Sequence, residues 1–417
     1  MTETPRVENS KHLQQQQIKN YALITFNYWN FTLTDGALRM LVVLHFYSLG
    51  YSGLEIAMLF LFYEFFGVVT NLIGGWLGAR IGLNRTMNTG LFMQIIALLM
   101  LSVPSHFLSI PLVMFAQAIS GIAKDLNKMS AKTSIKTLVS SQQSGKLYRW
   151  IAILTGSKNA LKGAGFFLGG ALLSLVGFQI AMLTMASILT LVLAGSLMWL
   201  QKDLGKARSK PKFTQIFSKS KAINTLSAAR LFLFASRDVW FVIALPISLS
   251  AVFGWSSVET GGFMAIWVIG YGLVQGIAPT ITGTQSQHIQ GRTSLVLWSA
   301  TLLLVSVLLA LAITFQWYPQ LSLIVGLLIF GGIFAINSSL HSYLIVSFAR
   351  EEGASMDVGF YYMANAMGRL TGTVLSGWTF QWGGLEACLW ISSLFIMLTA
   401  IISLAMPDHN QEFLGHR

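Results

Sequence analysis

Apolar residues run through this chain in long stretches, each interrupted by only a few polar or basic positions. Twelve stretches can be read, at roughly 21–48, 54–78, 87–104, 107–135, 147–176, 178–200, 223–252, 259–283, 293–316, 319–346, 355–380 and 385–406. Crossing about 30 Å of hydrocarbon takes a helix of about 20 residues, so each can span a bilayer. The fourth and fifth are the least apolar, because lysines recur along them. The pattern predicts an all-α polytopic membrane protein of about twelve transmembrane helices.

Lysine and arginine then orient the spans. One set of connections carries Arg80 and Arg85, Lys136 and Lys146, Arg292, and Arg350. The opposite set (LGYSGLE, PSHFLSIP, VGFQ, FGWSSVE, QWYP and FQWGG) has neither residue type. Basic connections stay on the cytoplasmic side, which places both termini there. The longest connection, 201–222, holds seven basic residues. It separates a first six-helix bundle, 21–200, from a second, 223–406, with short cytoplasmic tails at 1–20 and 407–417. An internal echo supports that division: Gly50-Tyr-Ser-Gly-Leu-Glu55 follows the first span and Gly254-Trp-Ser-Ser-Val-Glu259 the seventh.

Two parallel six-helix repeats resemble the major facilitator superfamily. The stretch Gly75-Trp-Leu-Gly-Ala-Arg-Ile-Gly-Leu-Asn-Arg85 is similar to that family's loop between its second and third spans. Ala79 stands where the family carries Asp, and Leu83 where it carries a basic residue. The resemblance therefore implies a weakened or rebuilt charge network in that loop.

Composition narrows the alternatives. Apolar residues make up 54% of the chain and charged residues 10%, too few charges to cover a soluble protein's surface. The net charge of +12 sits mostly in the connections, as topology determinants do, which argues against a nucleic-acid partner. One cysteine, Cys388, excludes an internal disulfide framework and a thiolate metal site. The polar first 20 residues and the long first apolar run do not fit a secretory signal.

Enzyme chemistry finds no footing. Asp35-Gly-Ala-Leu-Arg39 superficially resembles the start of a CDP-alcohol phosphotransferase motif, but the metal-binding aspartates that should follow are missing. Thr155-Gly-Ser-Lys158 lacks the glycine spacing of a phosphate-binding loop. No catalytic residue, metal or cofactor is expected.

Charges inside the spans are a different matter, since each costs about 2.5–3.5 kcal/mol on insertion scales and so marks a functional candidate. Arg39, Lys124, Lys128, Lys158, Lys162, Arg230, Arg237 and Arg369 are cationic; Asp35, Glu64, Asp125 and Asp238 oppose them. The surplus cations predict a bound anion. Lys124, Lys128, Lys132 and Lys136 recur every four residues along one helix face, and Lys158 and Lys162 repeat that spacing on the next span. Two such stripes form a funnel that attracts anions, although Lys132 and Lys136 can equally snorkel to the interface. Arg39, with Arg230 or Arg237 from the other half, offers planar forks for oxyanions.

The competing reading is internal pairing, Asp35 with Arg39 and Arg237 with Asp238. Adjacent helical residues point about 100° apart, which makes the second pair unfavourable. Asp35 or Asp238 could also couple a proton. Asp125 and Arg369 fall in the same coupling or pairing class, and Asn27 and Tyr28 are candidates to line the cavity. His45 and His341 are assigned no role.

Five segments carry a more specific likeness: TLTDGALRMLVVLHF (32–46), FGVVTNLIGGWLGARIGLNRTMN (66–88), SGIAKDLNKMSAK (120–132), YRWIAILTGSKNALKGAGFFLGGALL (148–173) and LSAARLFLFASRDVWFVIALP (226–246). They resemble the ArsJ-type organoarsenical efflux permeases of bacterial arsenic-resistance operons. The resemblance implies export of 1-arseno-3-phosphoglycerate across the bacterial inner membrane. It implies a functional partner, the glyceraldehyde-3-phosphate dehydrogenase that forms this ester from arsenate. An alternating-access monomer in membrane lipid is expected, with an organophosphate or carboxylate exchanger of the same superfamily as the alternative.

Overall fold

A backbone in hydrocarbon must satisfy its own N–H and C=O groups, so long apolar runs are driven into helices. The computed structural model describes residues 4–81, 83–138, 144–200, 220–282, 292–348 and 354–407, and every regular element among them is helical. In order these are α1 (Thr4–Ser48), α2 (Gly53–Leu59), α3 (Leu61–Ile81), α4 (Leu83–Leu101), α5 (Ile110–Leu138) and α6 (Ser144–Trp199). There follow α7 (Lys221–Phe241), α8 (Ala244–Ala251), α9 (Ser257–Ile281), α10 (Arg292–Thr314), α11 (Pro319–Phe348) and α12 (Ala354–Leu404). Helix α1 begins inside the segment read as a polar tail. The linker residues 201–219, the tail 408–417 and the side chains of Arg80, Lys132, Lys136 and Lys146 lie outside the described residues.

Seven of the described helical stretches are long and apolar enough to cross a membrane by length and composition. Two of them, Ser157–Trp199 and Phe360–Leu404, are twice a span in length and turn back at Gly177 (φ 76°) and Gly384 (φ 61°). Helices α1, α4 and α5 fall outside the seven. Each carries polar side chains inward: Asp35 and Arg39 on α1, Gln94 on α4, and Lys124, Asp125 and Lys128 on α5. Counting α2 with α3 and α7 with α8 as broken spans, the described helices make twelve crossings. Large apolar side chains such as Leu175, Leu191 and Leu304 point outward, as a lipid-facing surface requires.

The echo in the sequence is an echo in the fold. Ser52 and Ser256 each cap a helix in a reciprocal box. The Ser52 and Ser256 backbone N–H groups donate to Glu55 and Glu259 at 2.8 Å, and the glutamate N–H groups donate back to the serine hydroxyls at 3.3 and 3.2 Å. Gly50 (φ 89°) and Gly254 (φ 70°) make the turns just before these caps, a conformation in which a Cβ would be strained.

Within the first half of the chain α1 packs on α6, and α5 on α3 and α4; within the second, α7 packs on α12 and α11 on α9 and α10. The halves meet along α6 with α9, and along α12 with α2 and α3. Glycine permits this closeness: a Cβ at Gly170 would strike the Ser257 carbonyl, and one at Gly377 the Gly53 carbonyl. Both contacts lie at the end of the bundle that carries the serine caps, and they seal it.

Candidate functional site

Between the halves, below that seal, lies a cavity of about 480 Å³. Arg39, Lys128, Lys158, Lys162, Arg230, Arg237 and Arg369 line it, with Asp238 as the carboxylate among the described lining residues. Toward the serine-capped end it abuts an apolar constriction formed by Met40, Val43, Phe166, Phe241, Val242 and Met264 around Arg39. Toward the opposite end its walls become polar, with Gln275, Ser342 and Tyr362.

The deepest feature is a chain of charges across the halves. Glu64, on α3 and 1% exposed, accepts from Arg39 of α1 at 2.5 Å and from Arg369 of α12 at 2.7 Å. Arg369 in turn reaches Asp238 of α7 through Nε at 3.4 Å, and Asp238 accepts from Arg237 Nη2 at 2.5 Å and Nε at 2.6 Å. A carboxylate so buried is stable only when its partners share the burial, and here two guanidinium groups from opposite halves do so. Aromatic faces complete the setting: Arg39 lies 4.9 Å from the Tyr63 ring centroid and Arg237 4.8 Å from that of Phe234.

Of the two internal pairs weighed in the sequence as the competing reading, one is absent and the other, disfavoured by helical angle, is present. Asp35 does not take Arg39; it accepts from the Tyr63 hydroxyl at 2.5 Å, while Arg39 turns to Glu64. Arg237 and Asp238 do pair, because an arginine side chain is long enough to curl along its own helix to a neighbour that has no access to water. Glu64 itself received no role from the sequence, since its partner Arg369 stands 305 positions away.

The remaining candidates separate into those on the cavity and those behind it. Lys124 lies 3.8 Å from Asp125 and 3.9 Å above the Tyr63 ring, outside the cavity lining. Lys128 lines the cavity and reaches Asp125 and Asn71, both at 3.3 Å. Asn27 and Tyr28 do not line it. Asn27 donates to Ser196 at 2.9 Å, and Tyr28 is buried in a cluster with Ile24, Met87, Ala131 and Leu200. Tyr28 shares a helix face with Asp35 and Arg39, but lower on α1, where α4 and α5 cover that face.

Arg230 donates to Asn365 at 2.9 Å and to the Ser338 carbonyl at 3.0 Å, neither of which neutralises its charge. Lys162 faces the cavity with the Phe166 ring 5.8 Å from Nζ and, among the described residues, no carboxylate at ion-pair distance. Sequence reasoning also passed over Asn365, Ser338 and Gln275, polar residues without a motif, which only the fold brings to the cavity.

A buried, charge-lined chamber between two helical halves, narrowed at one end, suits a membrane transporter. The chain belongs to the major facilitator superfamily, whose family model matches residues 22–265. Solved transporters share its fold. One is a POT family transporter in complex with a thioalcohol-conjugated peptide, 16% identical, covering 91% of this chain and 94% of that one at a TM-score of 0.75. Another is the nucleoside transporter NupG, 14% identical, covering 94% and 100% at 0.71. A POT family transporter in complex with 5-aminolevulinic acid is similar as well, at 16% identity, 91% and 94% coverage and 0.73. No curated protein matches the chain by sequence.

Glu64→Gln leaves Arg39 and Arg369 without their shared counter-ion, so it is expected to cost about 3–5 kcal/mol. Glu64→Asp, which keeps the charge, is expected to recover part of that loss. Thermal unfolding of the purified variants checks both.

Proposed function

We propose that this transporter exports a small, multiply charged organic anion from the bacterial cytoplasm by alternating access. The observation that carries the reading is a cavity wall on which Lys162 and Arg230 have, among the described residues, no carboxylate at ion-pair distance, beside cations already held by Glu64, Asp238 and Asp125. Positive charge left uncompensated by the protein calls for an anion from outside it. A volume of about 480 Å³ suits a small organic solute. The cations stand at two levels: Arg230 and Arg237 are seven residues apart on α7, or about 10 Å along its axis. A cargo with an anionic group at each end fits that spacing.

The positive-inside pattern supports cytoplasmic termini and a serine-capped end that faces outside. Cargo would then enter the cavity from the cytoplasm, past Lys128 and Lys158. The likeness of five segments to the ArsJ-type permeases makes 1-arseno-3-phosphoglycerate the specific candidate, an ester with arsenate at one end and phosphate at the other. On this reading a glyceraldehyde-3-phosphate dehydrogenase is the functional partner, and arsenate resistance the outcome.

The test is arsenate tolerance in an arsenic-sensitive bacterial strain carrying the gene, with and without that dehydrogenase. Tolerance is expected only when both are present, and it is expected to be lost in the Lys158→Gln/Lys162→Gln double variant. Absence of protection despite membrane expression would overturn the arsenical assignment.

A second reading, exchange of one anion for another, draws support from the carboxylates. Glu64, Asp238 and Asp125 are engaged by cations, and Asp35 by the Tyr63 hydroxyl, and an exchange needs no titrating carboxylate. In proteoliposomes, exchange predicts that 3-phosphoglycerate uptake requires phosphate inside and survives collapse of the proton gradient. Uptake that follows the proton gradient would return the coupling role to Asp35 or Asp238.

A further inference from the structure

The two halves repeat in backbone, but their charges do not. A shift of 204 positions carries Gly50 to Gly254, Ser52 to Ser256 and Gly53 to Ser257. The same shift carries Tyr63 to Trp267, and a helix glycine packs against each, Gly121 on the Tyr63 backbone and Gly331 on the Trp267 ring. A shift of 207 carries Gly165 to Gly372, Gly170 to Gly377 and Gly177 to Gly384. The contacts follow the numbering. Gly165 lies on α1 and Gly372 on α7; Gly170 lies on Ser257 and Gly377 on Gly53.

With these anchors Lys162 coincides with Arg369, and Glu64 with Val268. In one contact between the halves Arg369 crosses to Glu64 at 2.7 Å. In the twin contact Lys162 and Val268 take those two places by register, and the Val268 side chain has no charge to offer. Gly163 holds the register there, since a Cβ on it would meet the Ala265 carbonyl and the Ile269 side chain, each at 2.8 Å, one turn or less from Val268. Lys162 and Val268 both line the cavity. Trp267, beside Val268, turns its N–H away to the Leu327 carbonyl at 2.7 Å. The repeat thus preserves a cation at both positions and supplies its counter-ion at only one.

We infer that an oxyanion of the cargo occupies the place beside Val268, facing Lys162, where the twin contact holds the Glu64 carboxylate. This rests on the reading of the cavity as an anion site and deepens it by assigning one anionic group of the cargo to one residue. The cargo replaces a missing side chain, so the contact between α6 and α9 is electrically complete only when loaded. Arg237 and Arg369, already held by Asp238, line the same cavity and add field without needing to leave their partners.

The test is to restore the missing side chain. Val268→Glu should neutralise Lys162 from within and exclude the cargo. Binding of inorganic phosphate and of 3-phosphoglycerate to the purified full-length protein, by titration calorimetry, reads it. Val268→Glu is expected to weaken both by about thirtyfold or more, the usual cost of losing one partner of a buried charge pair. Val268→Gln, similar in size but uncharged, should fall short of that loss by about tenfold. Lys162→Gln should match Val268→Glu, and it decides the matter alone if the glutamate variant does not fold.

Equal affinities for the Glu and Gln variants, or an unaltered affinity in Lys162→Gln, would overturn the assignment while leaving the anion site in place. A wild-type protein that binds neither probe would overturn the anion reading itself, and this inference with it.

Discussion

Glu64 holds two arginines that belong to opposite halves of the chain, and the remaining charges of the interior are arranged around that fact. Arg39 and Arg369 could not both sit in a low-dielectric interior at close quarters without it, since two guanidinium groups there repel strongly. By engaging them it fixes α1, α3 and α12 at one level of the bundle. Arg369 then meets Asp238, and Asp238 restrains Arg237. The floor of the cavity is a rigid, nearly balanced set of charges. The glycine contacts at Gly170 and Gly377 close the structure on the serine-capped side of that floor.

Beyond the floor the balance fails. Lys162 and Arg230 bring charge to the cavity wall with, among the described residues, no carboxylate at ion-pair distance. Desolvating a cation is costly, and a fold keeps such a group only where something else compensates. In a transporter that compensation can arrive and leave with the cargo. Attraction by the uncompensated wall and rigidity in the compensated floor are then two consequences of one unequal distribution of carboxylates between the halves.

Much of this was legible in sequence, and what was not has identifiable causes. The helices followed from apolar run length. The Gly50–Glu55 and Gly254–Glu259 echo was readable because a capping box is local, its donors and acceptors three residues apart. Surplus interior cations were countable directly. Partner choice was not, because Glu64 meets Arg369 only once α3 and α12 are packed. Helical angle alone misjudged Arg237 with Asp238, where side-chain length decides. Tyr28 was misplaced because a helix face shared with Arg39 says nothing of which helix covers it at another depth. Of the α5 lysines whose side chains are described, Asp125 draws both Lys124 and Lys128 to one carboxylate, and Lys128 lines the cavity while Lys124 does not.

The central claim is that the cavity is selective for negative charge. Its most direct test compares binding of 3-phosphoglycerate and of glycerol to the purified protein across a range of salt concentrations. The account predicts that 3-phosphoglycerate binds, that its affinity declines as salt rises, and that glycerol at the same concentrations does not bind. Glycerol binding as well as 3-phosphoglycerate, or a phosphoglycerate affinity indifferent to the charges of Lys158, Lys162 and Arg230 when these are replaced by glutamine, would contradict it.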